Sequence, residues 1–519
     1  MIGDNLSYSE GPKMSRYLLF PVNDRYTKDI YCIRSRDGRI LSDFKASYAP
    51  EDPVFCAQID VARFGDCVIT DRDGNVLETG SSDRLIRPEE FPGGMMSRPA
   101  VHFTPAVGWM NDPNGLVFAN GIYHLFFQHN PMSLNHGNMT WGHATSGDDM
   151  HWTERGDAVF PDEFGTVFSG SAVCDERNVS GFGKDAIVLF YTAAGGDNGM
   201  SAGKRFTQCI AYSTDGGETF TKYEGNPVLG HIAAANRDPK VQWADELGKY
   251  IMSLYLEDHS FAVFQSDDLI HWDRFCGIEL PDDCECPDLY PLEADGERKW
   301  VFSAAGDTYL VGDLTPDGFV PVQEPMRYTL SGSCSYAAQT YVGHGGRRLR
   351  KAWENVAAEG AVFRSQISFP AEMFLKKVGD RFMLGSLPIG SMNRLSVRFM
   401  DGRLSPDGPQ MVSLGTVRED CAAYARITSG GSESKLEIMG QTVSIDPVSN
   451  EIRAGSVCMP LTVSGDMRVS VIADTLSLEI YADGGLIHYV TGITADRSAG
   501  VTFECEKGDA EVRLDEIKL

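Results

Sequence analysis

Short apolar and alternating segments of strand length recur along most of the chain. They include YLLFPV, DIYCIRS and VFCAQIDV near the N-terminus, and RLSVRF, SLEIYADGG, LIHYV and EVRLDEIKL near the C-terminus. Alternation with a period of two is typical of β-strands, whereas an amphipathic helix shows a period near 3.6. Because helical periodicity is nearly absent, the pattern predicts an all-β protein.

The segments fall into three regions. At 519 residues the chain is too long for one hydrophobic core. The turn-rich stretch RPEEFPGGMMSRP predicts a boundary that separates a small β module of unknown role, residues 1–97, from a domain at 98–380. Residues 385–519 alternate again and predict a C-terminal β-sandwich.

A repeat in the middle region indicates its architecture. The segments DMHW at 149–152, DGGETF at 215–220 and DLIHW at 268–272 each follow a strand-like segment and lead into another. Spacing of this kind approximates four-stranded sheets of a β-propeller with variable insertions. Unrelated hairpins in a sandwich are the alternative interpretation.

Composition narrows the classes of partner and cofactor. A net charge of −27 disfavours nucleic acid and anionic membrane surfaces. No basic stretch followed by an apolar run opens the chain, and the 12 cysteines lack C-x-x-C spacing, which favours a cytoplasmic location, with a secreted form whose signal was trimmed as the alternative. No H-E-x-x-H, phosphate-loop or G-x-S-x-G motif occurs, so we predict no metal and no cofactor.

Three acidic residues of the middle region stand in unusual local settings: Asp112 in WMNDPNG, Asp238 in NRDPKV and Glu285 in CECPDLY. Asn-Asp-Pro-Asn-Gly predicts a turn, because the residue before proline avoids the α region and Asn-Gly readily supplies positive φ. Asp238 and Glu285 also have structural interpretations, as a surface turn with a local ion pair and as a strand cap.

A propeller offers a chemical role for the same acids. Strands that begin at its central channel can each present one residue, so acids distant in sequence converge on one pocket. Cleavage of a glycosidic bond needs at least two carboxyl groups, one to attack or stabilise the anomeric carbon and one to protonate the leaving oxygen. The three acids therefore predict glycosidase chemistry.

The chain resembles glycoside hydrolase family 32, the β-fructofuranosidases that include invertases, inulinases and levanases. The resemblance rests on these segments: Trp109-Met110-Asn111-Asp112-Pro113-Asn114-Gly115, Gln128-His129-Asn130-Pro131, Trp141-Gly142-His143-Ala144, Phe168-Ser169-Gly170-Ser171-Ala172, Cys209-Ile210-Ala211-Tyr212-Ser213, Arg237-Asp238-Pro239-Lys240-Val241, Glu285-Cys286-Pro287-Asp288-Leu289, Tyr336-Ala337-Ala338-Gln339-Thr340 and Ser477-Leu478-Glu479-Ile480-Tyr481. It implies a five-bladed propeller followed by a sandwich, and a retaining mechanism with a covalent fructosyl intermediate.

The resemblance also implies residue roles. By motif position Asp112 would be the nucleophile, Glu285 the general acid/base and Asp238 the stabiliser of the transition state. We expect Arg237 to keep its neighbour Asp238 ionised. The implied substrate-binding residues are Asn111, Gln128, Trp141, Ser169, Arg237 and, at the leaving-group site, His136.

Some positions depart from the family pattern. His136 stands where tryptophan is usual, Cys284 where an aromatic residue usually precedes the acid/base, and Ala371 where arginine is expected. LSGSCSYA, residues 330–337, replaces an acidic stretch. These departures bear on the identity of the substrate more than on the reaction.

The expected activity is that of a β-fructosidase. Its substrate would be a terminal fructosyl bond of sucrose, a fructo-oligosaccharide, inulin or levan. A fructosyltransferase on the same scaffold and a fructan-binding protein with a degenerate site are the alternatives. As a further partner we consider a second copy of the chain, in a homodimer.

Overall fold

The computed structural model describes residues 16–234, 236–404, 410–430, 433–461, 467–506 and 509–519. Residues 1–15 lie outside these ranges. They include the start of the predicted N-terminal module and the stretch in which we expect no signal segment. The described residues form strands and five short 3₁₀ helices, at Ala62–Phe64, Pro88–Glu90, His344–Gly346, Gly390–Leu395 and Asp483–Gly485. The protein is all-β, as the alternation predicts. Within the described ranges no helix has the length and apolar character needed to cross a membrane.

Six strands near the N-terminus form two three-stranded sheets, which we call the N-terminal sheets. One has the order β4-β1-β6 and the other β3-β2-β5. Phe20, Ile33 and Phe44 pack in their shared core, which also contains Met132 and Val362 from later in the chain. The strands are β1 (Tyr17–Val22), β2 (Asp29–Ser35), β3 (Ile40–Ala46), β4 (Phe55–Asp60), β5 (Cys67–Thr70) and β6 (Gly80–Ser82).

Five antiparallel sheets then follow one another along the chain, and we number them sheets 1 to 5. Sheets 1 to 3 contain β7 (Gly108–Ala119), β8 (Ile122–Asn130), β9 (Thr140–Ser146) and β10 (Thr153–Val159); β11 (Thr166–Asp175), β12 (Ala186–Ala194), β13 (Thr207–Ser213) and β14 (Thr221–Lys222); and β15 (Arg237–Ala244), β16 (Lys249–Glu257), β17 (Ser260–Ser266) and β18 (Asp273–Glu279).

Sheets 4 and 5 continue the series with small additions. They contain β19 (Asp288–Ala294), β20 (Glu297–Ser303), β21 (Thr308–Thr315), β22 (Gly318–Pro321) and β23 (Met326–Arg327); and β24 (Ser335–Val342), β25 (Arg348–Glu354), β27 (Gln366–Ile367), β28 (Ala371–Val378) and β29 (Arg381–Pro388). The intervening β26 (Phe363–Arg364) joins sheet 1 beside β7, in parallel.

The first strands of the five sheets contact one another in a closed order. β7 contacts β11, β11 contacts β15, β15 contacts β19, β19 contacts β24, and β24 contacts β7 again. The residues of these strands therefore share one central region, although they are far apart in sequence.

The repeat identified in the sequence lies at the same place in sheets 1, 2 and 3. Each copy joins the third strand of its sheet to the fourth. In the third copy the Asp268 carboxylate accepts the backbone N–H groups of Ile270 and His271, at 2.9 and 2.8 Å. In the second copy Asp215 accepts two backbone N–H groups in the same way, whereas in the first copy the acceptor is Asp148, one residue before the quoted segment. An aspartate thus closes each hairpin through backbone hydrogen bonds.

Two six-stranded sheets follow and pack face to face around one core, as the predicted sandwich requires. Their orders are β30-β41-β32-β37-β38-β39 and β31-β40-β33-β34-β35-β36. The strands are β30 (Ser396–Leu404), β31 (Gln410–Gly415), β32 (Ala422–Ser429), β33 (Ser434–Ile438), β34 (Gln441–Asp446), β35 (Glu451–Ala454), β36 (Val457–Pro460), β37 (Met467–Ala473), β38 (Ser477–Ala482), β39 (Ile487–Gly492), β40 (Val501–Cys505) and β41 (Ala510–Ile517).

Two local expectations need correction. WMNDPNG forms no turn, because it lies within the continuous strand β7. The ladder to β8 shifts register between Met110 and Pro113, and a bulge of this kind accommodates a proline without an N–H donor. The middle domain was expected to end at residue 380 and the C-terminal sandwich to begin at residue 385. Both positions fall before the end of β29, which pairs with β28 up to Pro388 and completes sheet 5.

Candidate active site

Each of the five sheets contributes one polar side chain to a single cluster. Asp112 lies on β7, Ser169 on β11, Asp238 on β15 and Tyr336 on β24, and Glu285 lies in the segment that leads into β19. The sequence argument expected three of these residues to converge. The structure brings all five together through the hydrogen bonds described below.

Irregular backbone surrounds the cluster. The strand ladders shift register at Met110/Pro113, Phe168/Gly170, Arg237/Lys240 and Tyr336/Gln339. Asp238 and Glu285 have φ angles of 65° and 62°, in the left-handed region that non-glycine residues seldom adopt. Bulges and strained residues of this kind redirect side chains and concentrate at functional sites.

Asp112 is held from several sides. The Ser169 hydroxyl donates to Oδ2 at 2.5 Å, and the Asn111 amide donates to Oδ1 at 3.2 Å. The Cys286 thiol lies 3.5 Å from Oδ2. Burial raises the pKa of Asp112 above its ordinary value; the Ser169 hydrogen bond opposes this shift, and the negative charge of Glu285 adds to it.

Asp238 is 4% exposed and shares the Cys286 thiol with Asp112. Its Oδ2 accepts the backbone N–H of Cys286 at 3.0 Å and lies 3.7 Å from Nε of Arg237. Burial raises the pKa of Asp238 to about 7, although Arg237 acts in the opposite direction. Arg237 thus lowers the pKa of Asp238 by less than burial raises it, and the expectation that Arg237 keeps this residue ionised stays a prediction.

Glu285 has the most solvent-exposed carboxyl group of the three acids, with 33% of its side chain exposed. Nη2 of Arg237 donates to Oε1 at 2.6 Å, and the Tyr336 hydroxyl donates to Oε2 at 3.1 Å. The Arg237 guanidinium also lies over the ring of Tyr255, 4.5 Å from its centroid. Arg237 thus joins Glu285 to Asp238, and the Glu285 side chain remains partly exposed to solvent.

Two predicted substrate-binding residues contact the backbone of β11. Gln128 and Trp141 are paired across β8 and β9, and both are almost fully buried. The Gln128 amide donates to the carbonyl of Val167 at 3.0 Å, and the Trp141 indole donates to that of Phe168 at 3.1 Å. In this structure they therefore fix the strand that presents Ser169.

The residues that depart from the family pattern lie in different settings. His136 is exposed and meets the ring of Phe168 edge-on, with 6.2 Å between centroids. Cys284 is half-buried beside Glu285, and Ala371 is buried within β28. His136 reaches the cluster only through Phe168, the neighbour of Ser169.

Sequence reasoning missed the roles of the cluster residue Tyr336 and of Cys286, whose thiol lies beside the cluster. Both residues stand in matching segments, but the sequence assigned neither of them a role. Burial raises the pKa of the Cys286 thiol well above its ordinary value, so the thiol stays neutral between two carboxyl groups. Its position directly after Glu285 was the available signal.

An aromatic wall stands beside the acids and was also missed. The rings of Trp109 and Trp353 meet edge-on at 5.7 Å, and Tyr336 meets Trp353 at 6.4 Å. Nε1 of Trp109 donates to the Asn111 amide oxygen at 3.0 Å, which orients the residue that binds Asp112.

One group of side chains in the described ranges has the spacing of metal ligands: His102, Glu354 and Glu479, all buried. His102 Nε2 lies 2.5 Å from Glu479, and its Nδ1 lies 2.8 Å from Asp474. Burial alone would lower the pKa of His102, but the hydrogen bonds to Asp474 and Glu479 raise it well above its ordinary value. His102 thus forms a buried ion-pair triad with Asp474 and Glu479, and Glu354 lies beside it.

Comparison with known proteins places this geometry in a family. The profile of the glycosyl hydrolases family 32 N-terminal domain matches residues 102–384, which contain all five cluster residues. The chain belongs to glycoside hydrolase family 32. The family 32 match begins after the N-terminal sheets, which therefore lie outside it.

Individual relatives agree with this assignment. The chain is 38% identical to an invertase of Schizosaccharomyces pombe over 49% of its own length, and the alignment spans only 48% of that relative. It is 30% identical to a levanase of Bacillus subtilis over 80% of its own length and 69% of the levanase. The crystal structure of an exo-inulinase from Aspergillus awamori superposes with a TM-score of 0.70 at 26% identity, covering 82% of this chain and 99% of that one.

Proposed function

We propose that this protein is a retaining β-fructosidase that hydrolyses terminal fructosyl bonds of sucrose, fructo-oligosaccharides or fructans. The observation that carries the proposal is the meeting of Asp112, Asp238 and Glu285 in one hydrogen-bonded cluster. The family membership and the names of the relatives, an invertase, a levanase and an exo-inulinase, support this choice of substrate.

The scaffold of this site is, in our proposal, a five-bladed propeller. Sheets 1 to 5 are its blades, and their first strands line its central channel. Three features support it: the closed order of contacts among the first strands, the pairing of β26 from the end of the series with β7 at its start, and the hairpin repeat in three sheets. This arrangement explains why one residue per sheet reaches the site.

Asp112 acts first, as the nucleophile. Its carboxylate attacks the anomeric carbon of the terminal fructosyl unit, and the bond from that carbon to the leaving oxygen breaks. The donors Ser169 and Asn111 orient the carboxylate toward its target. A covalent fructosyl ester on Asp112 results.

Glu285 moves the proton in both steps. As an acid it protonates the leaving oxygen while the ester forms, and as a base it then removes a proton from the water that hydrolyses the ester. Arg237 and Tyr336 hold one carboxyl oxygen each, so the group keeps its position as its protonation changes. Release of fructose restores both acids.

Asp238 binds sugar hydroxyl groups beside the reacting carbon. With a pKa of about 7 its carboxyl group both donates and accepts hydrogen bonds near neutral pH. Its ionised form stabilises the positive charge that develops on the fructosyl ring in the transition state.

Product analysis tests the proposal directly. Purified protein is incubated with sucrose, kestose, inulin and levan, and free fructose and glucose are measured. We expect fructose in proportion to bonds cleaved and, when methanol competes with water, methyl β-fructofuranoside as the trapped product, because retention preserves the β configuration. Glucose without equivalent fructose would identify a transferase, and binding without turnover would identify a degenerate site.

A further inference from the structure

A cavity of about 490 Å³ lies between the N-terminal sheets and sheets 1 and 2. Ser42, Asp43 and Lys45 line it from β3. His136, Thr166 and Asp197 line it from the opposite side. Its volume lies within the range of small-molecule sites, and no part of the mechanism above uses it.

Strand β11 runs from the cavity to the active site. Thr166 lines the cavity, and Ser169 on the same strand binds Asp112. Three residues of extended strand span about 10 Å. His136, which also lines the cavity, contacts Phe168 between these two points. The cavity therefore begins within about 10 Å, along β11, of the residue that binds the reacting carboxylate.

The N-terminal sheets and the connection between β1 and β2 hold the loop that carries His136. The Asp24 carboxylate accepts the Ser133 hydroxyl at 2.8 Å and the Leu134 N–H at 2.7 Å. The Lys45 N–H donates to the Asn138 amide oxygen at 2.8 Å, and the Asn138 amide donates to the Lys45 carbonyl at 2.8 Å. Both ends of the loop are thus fixed by residues outside the family-matched region.

Asp43 has hydrogen-bonding capacity left over. Its Oδ2 accepts the Gly199 N–H at 3.1 Å, whereas its buried Oδ1 meets no hydrogen-bond partner among the described residues. A buried oxygen without a partner is costly, and rotation of the Asp43 side chain toward the cavity would let a ligand hydroxyl satisfy it.

The charges of the cavity favour a neutral, polyhydroxylated ligand. Its lining mixes the acids Asp43, Asp60, Asp157 and Asp197 with the bases Lys28, Lys45 and Arg63. A strongly charged ligand of either sign would approach groups of its own sign there, whereas sugar hydroxyls donate to the acids and accept from the bases.

We propose that this cavity binds the sugar units of a fructan that lie beyond the scissile bond on the leaving-group side. The N-terminal sheets then extend the substrate site and give the enzyme a preference for oligosaccharides over sucrose. This inference rests on the proposed function, because it assigns the leaving group of that reaction to the cavity.

The test compares substrates of different length in three variants. Asp43→Ala removes both carboxyl oxygens, and Asp43→Asn retains an acceptor for the Gly199 N–H. Asp73→Asn, an exposed change of the same charge outside the cavity, is the matched control. For Asp43→Ala we expect KM for purified inulin-type or levan-type oligosaccharides to rise about 3- to 10-fold, the loss of one or two hydrogen bonds. We expect its kcat, and its kcat/KM for sucrose, to match those of the Asp73→Asn control.

Equal changes of KM for sucrose and oligosaccharides, or no change for either, would overturn the inference while fructose release still supports the proposed function. Calorimetric titration with the same oligosaccharides separates the two claims. If the unaltered protein releases no fructose, the proposed function fails. The titration alone then tests whether the cavity binds oligosaccharides. Weaker binding of the oligosaccharides to Asp43→Ala than to Asp73→Asn supports the inference that the cavity binds them. Equal binding to both variants contradicts it. Matching thermal unfolding midpoints establish that both variants are folded.

Discussion

The molecule contains two clusters of carboxyl groups that behave differently. The pocket acids are Asp112, Asp238 and Glu285; the interface acids are Glu354, Asp474 and Glu479, which surround His102. The interface acids join sheet 5 to the C-terminal sheets, because Glu354 lies on β25 and Glu479 on β38. In both clusters, acids that are far apart in the sequence lie close together in space.

The pKa shifts of the two clusters have different causes. Burial alone would raise the pKa of Glu479, but the hydrogen bond from His102 lowers it to about 2. Burial and the charge of Glu479 together raise the pKa of Glu354 well above its ordinary value. At the interface His102 thus outweighs burial for the carboxyl group of Glu479, whereas in the pocket burial outweighs Arg237 and the pKa of Asp238 lies at about 7.

Access to a ligand is the second difference. The side chains of His102, Asp474 and Glu479 have 0% exposure, and their hydrogen bonds run to one another and to backbone groups. Glu285 retains 33% exposure, and the backbone at the pocket is bulged so that side chains project from it. Clustered acids can react with a ligand only where strained backbone and solvent access leave their carboxyl oxygens free to contact it.

The largest expected effect is on turnover in the pocket. Asp112→Asn removes the nucleophile while keeping its shape, so we expect kcat for sucrose to fall roughly 10⁴-fold. The thermal unfolding midpoint should stay close to that of the unaltered protein. Steady-state kinetics with scanning calorimetry checks both, and substantial retained turnover would remove Asp112 from the mechanism.

The interface acids should show the reverse behaviour. Glu479→Gln leaves the protonated His102 without one of its two partners, and breaking a buried ion pair costs about 3–5 kcal/mol. Chemical denaturation should report this loss, while kcat per folded molecule is unchanged. Glu504→Gln, an exposed change in the same region, is the control and should alter the free energy of unfolding by less than about 0.5 kcal/mol.

A smaller effect is expected from the donor to Asp112. Ser169→Ala removes the hydrogen bond that favours the ionised carboxylate, so the already raised pKa of Asp112 should rise further. Because the nucleophile must be ionised, the acid limb of the pH profile should move to higher pH, and kcat/KM should fall about 10-fold.

Ser171→Ala is the control for this experiment. Ser171 lies two residues further along β11, and its hydroxyl donates to the carbonyl of Pro239 instead of a pocket acid. A pH profile that moves equally in both variants would show that Ser169 acts only through the strand.

The smallest effect concerns a carboxylate that is paired but exposed. Burial would raise the pKa of Asp268, but hydrogen bonds from the His271 side chain and backbone lower it to about 2. Its stabilising contribution is therefore present above about pH 4 and lost as the pH falls through 2. Since 38% of the side chain is exposed, we expect Asp268→Asn to cost less than about 1 kcal/mol at neutral pH and clearly less at pH 2, where the carboxyl group is about half protonated. Denaturation at both pH values checks this.

Part of the site could be read from the sequence. Asp112, Asp238 and Glu285 stood out because each precedes a proline or lies near one in a short polar segment, and their order matched a known motif. Tyr336 did not stand out, since a tyrosine in an alternating segment is ordinary for a buried strand. The Asn-Asp-Pro-Asn-Gly segment misled, because the residues that favour turns also favour bulges, and only pairing with β8 distinguishes the two.

The amino-acid sequence determined the all-β class, the order of the regions and the identity of the three acids, because alternation and short motifs are local properties. Tertiary packing decided which carboxyl groups are available for chemistry. Protonation and exposure depend on neighbours brought from other sheets, such as Arg237 beside Glu285 and His102 beside Glu479. It also placed the N-terminal sheets against the loop of His136, a contact that no local pattern encodes.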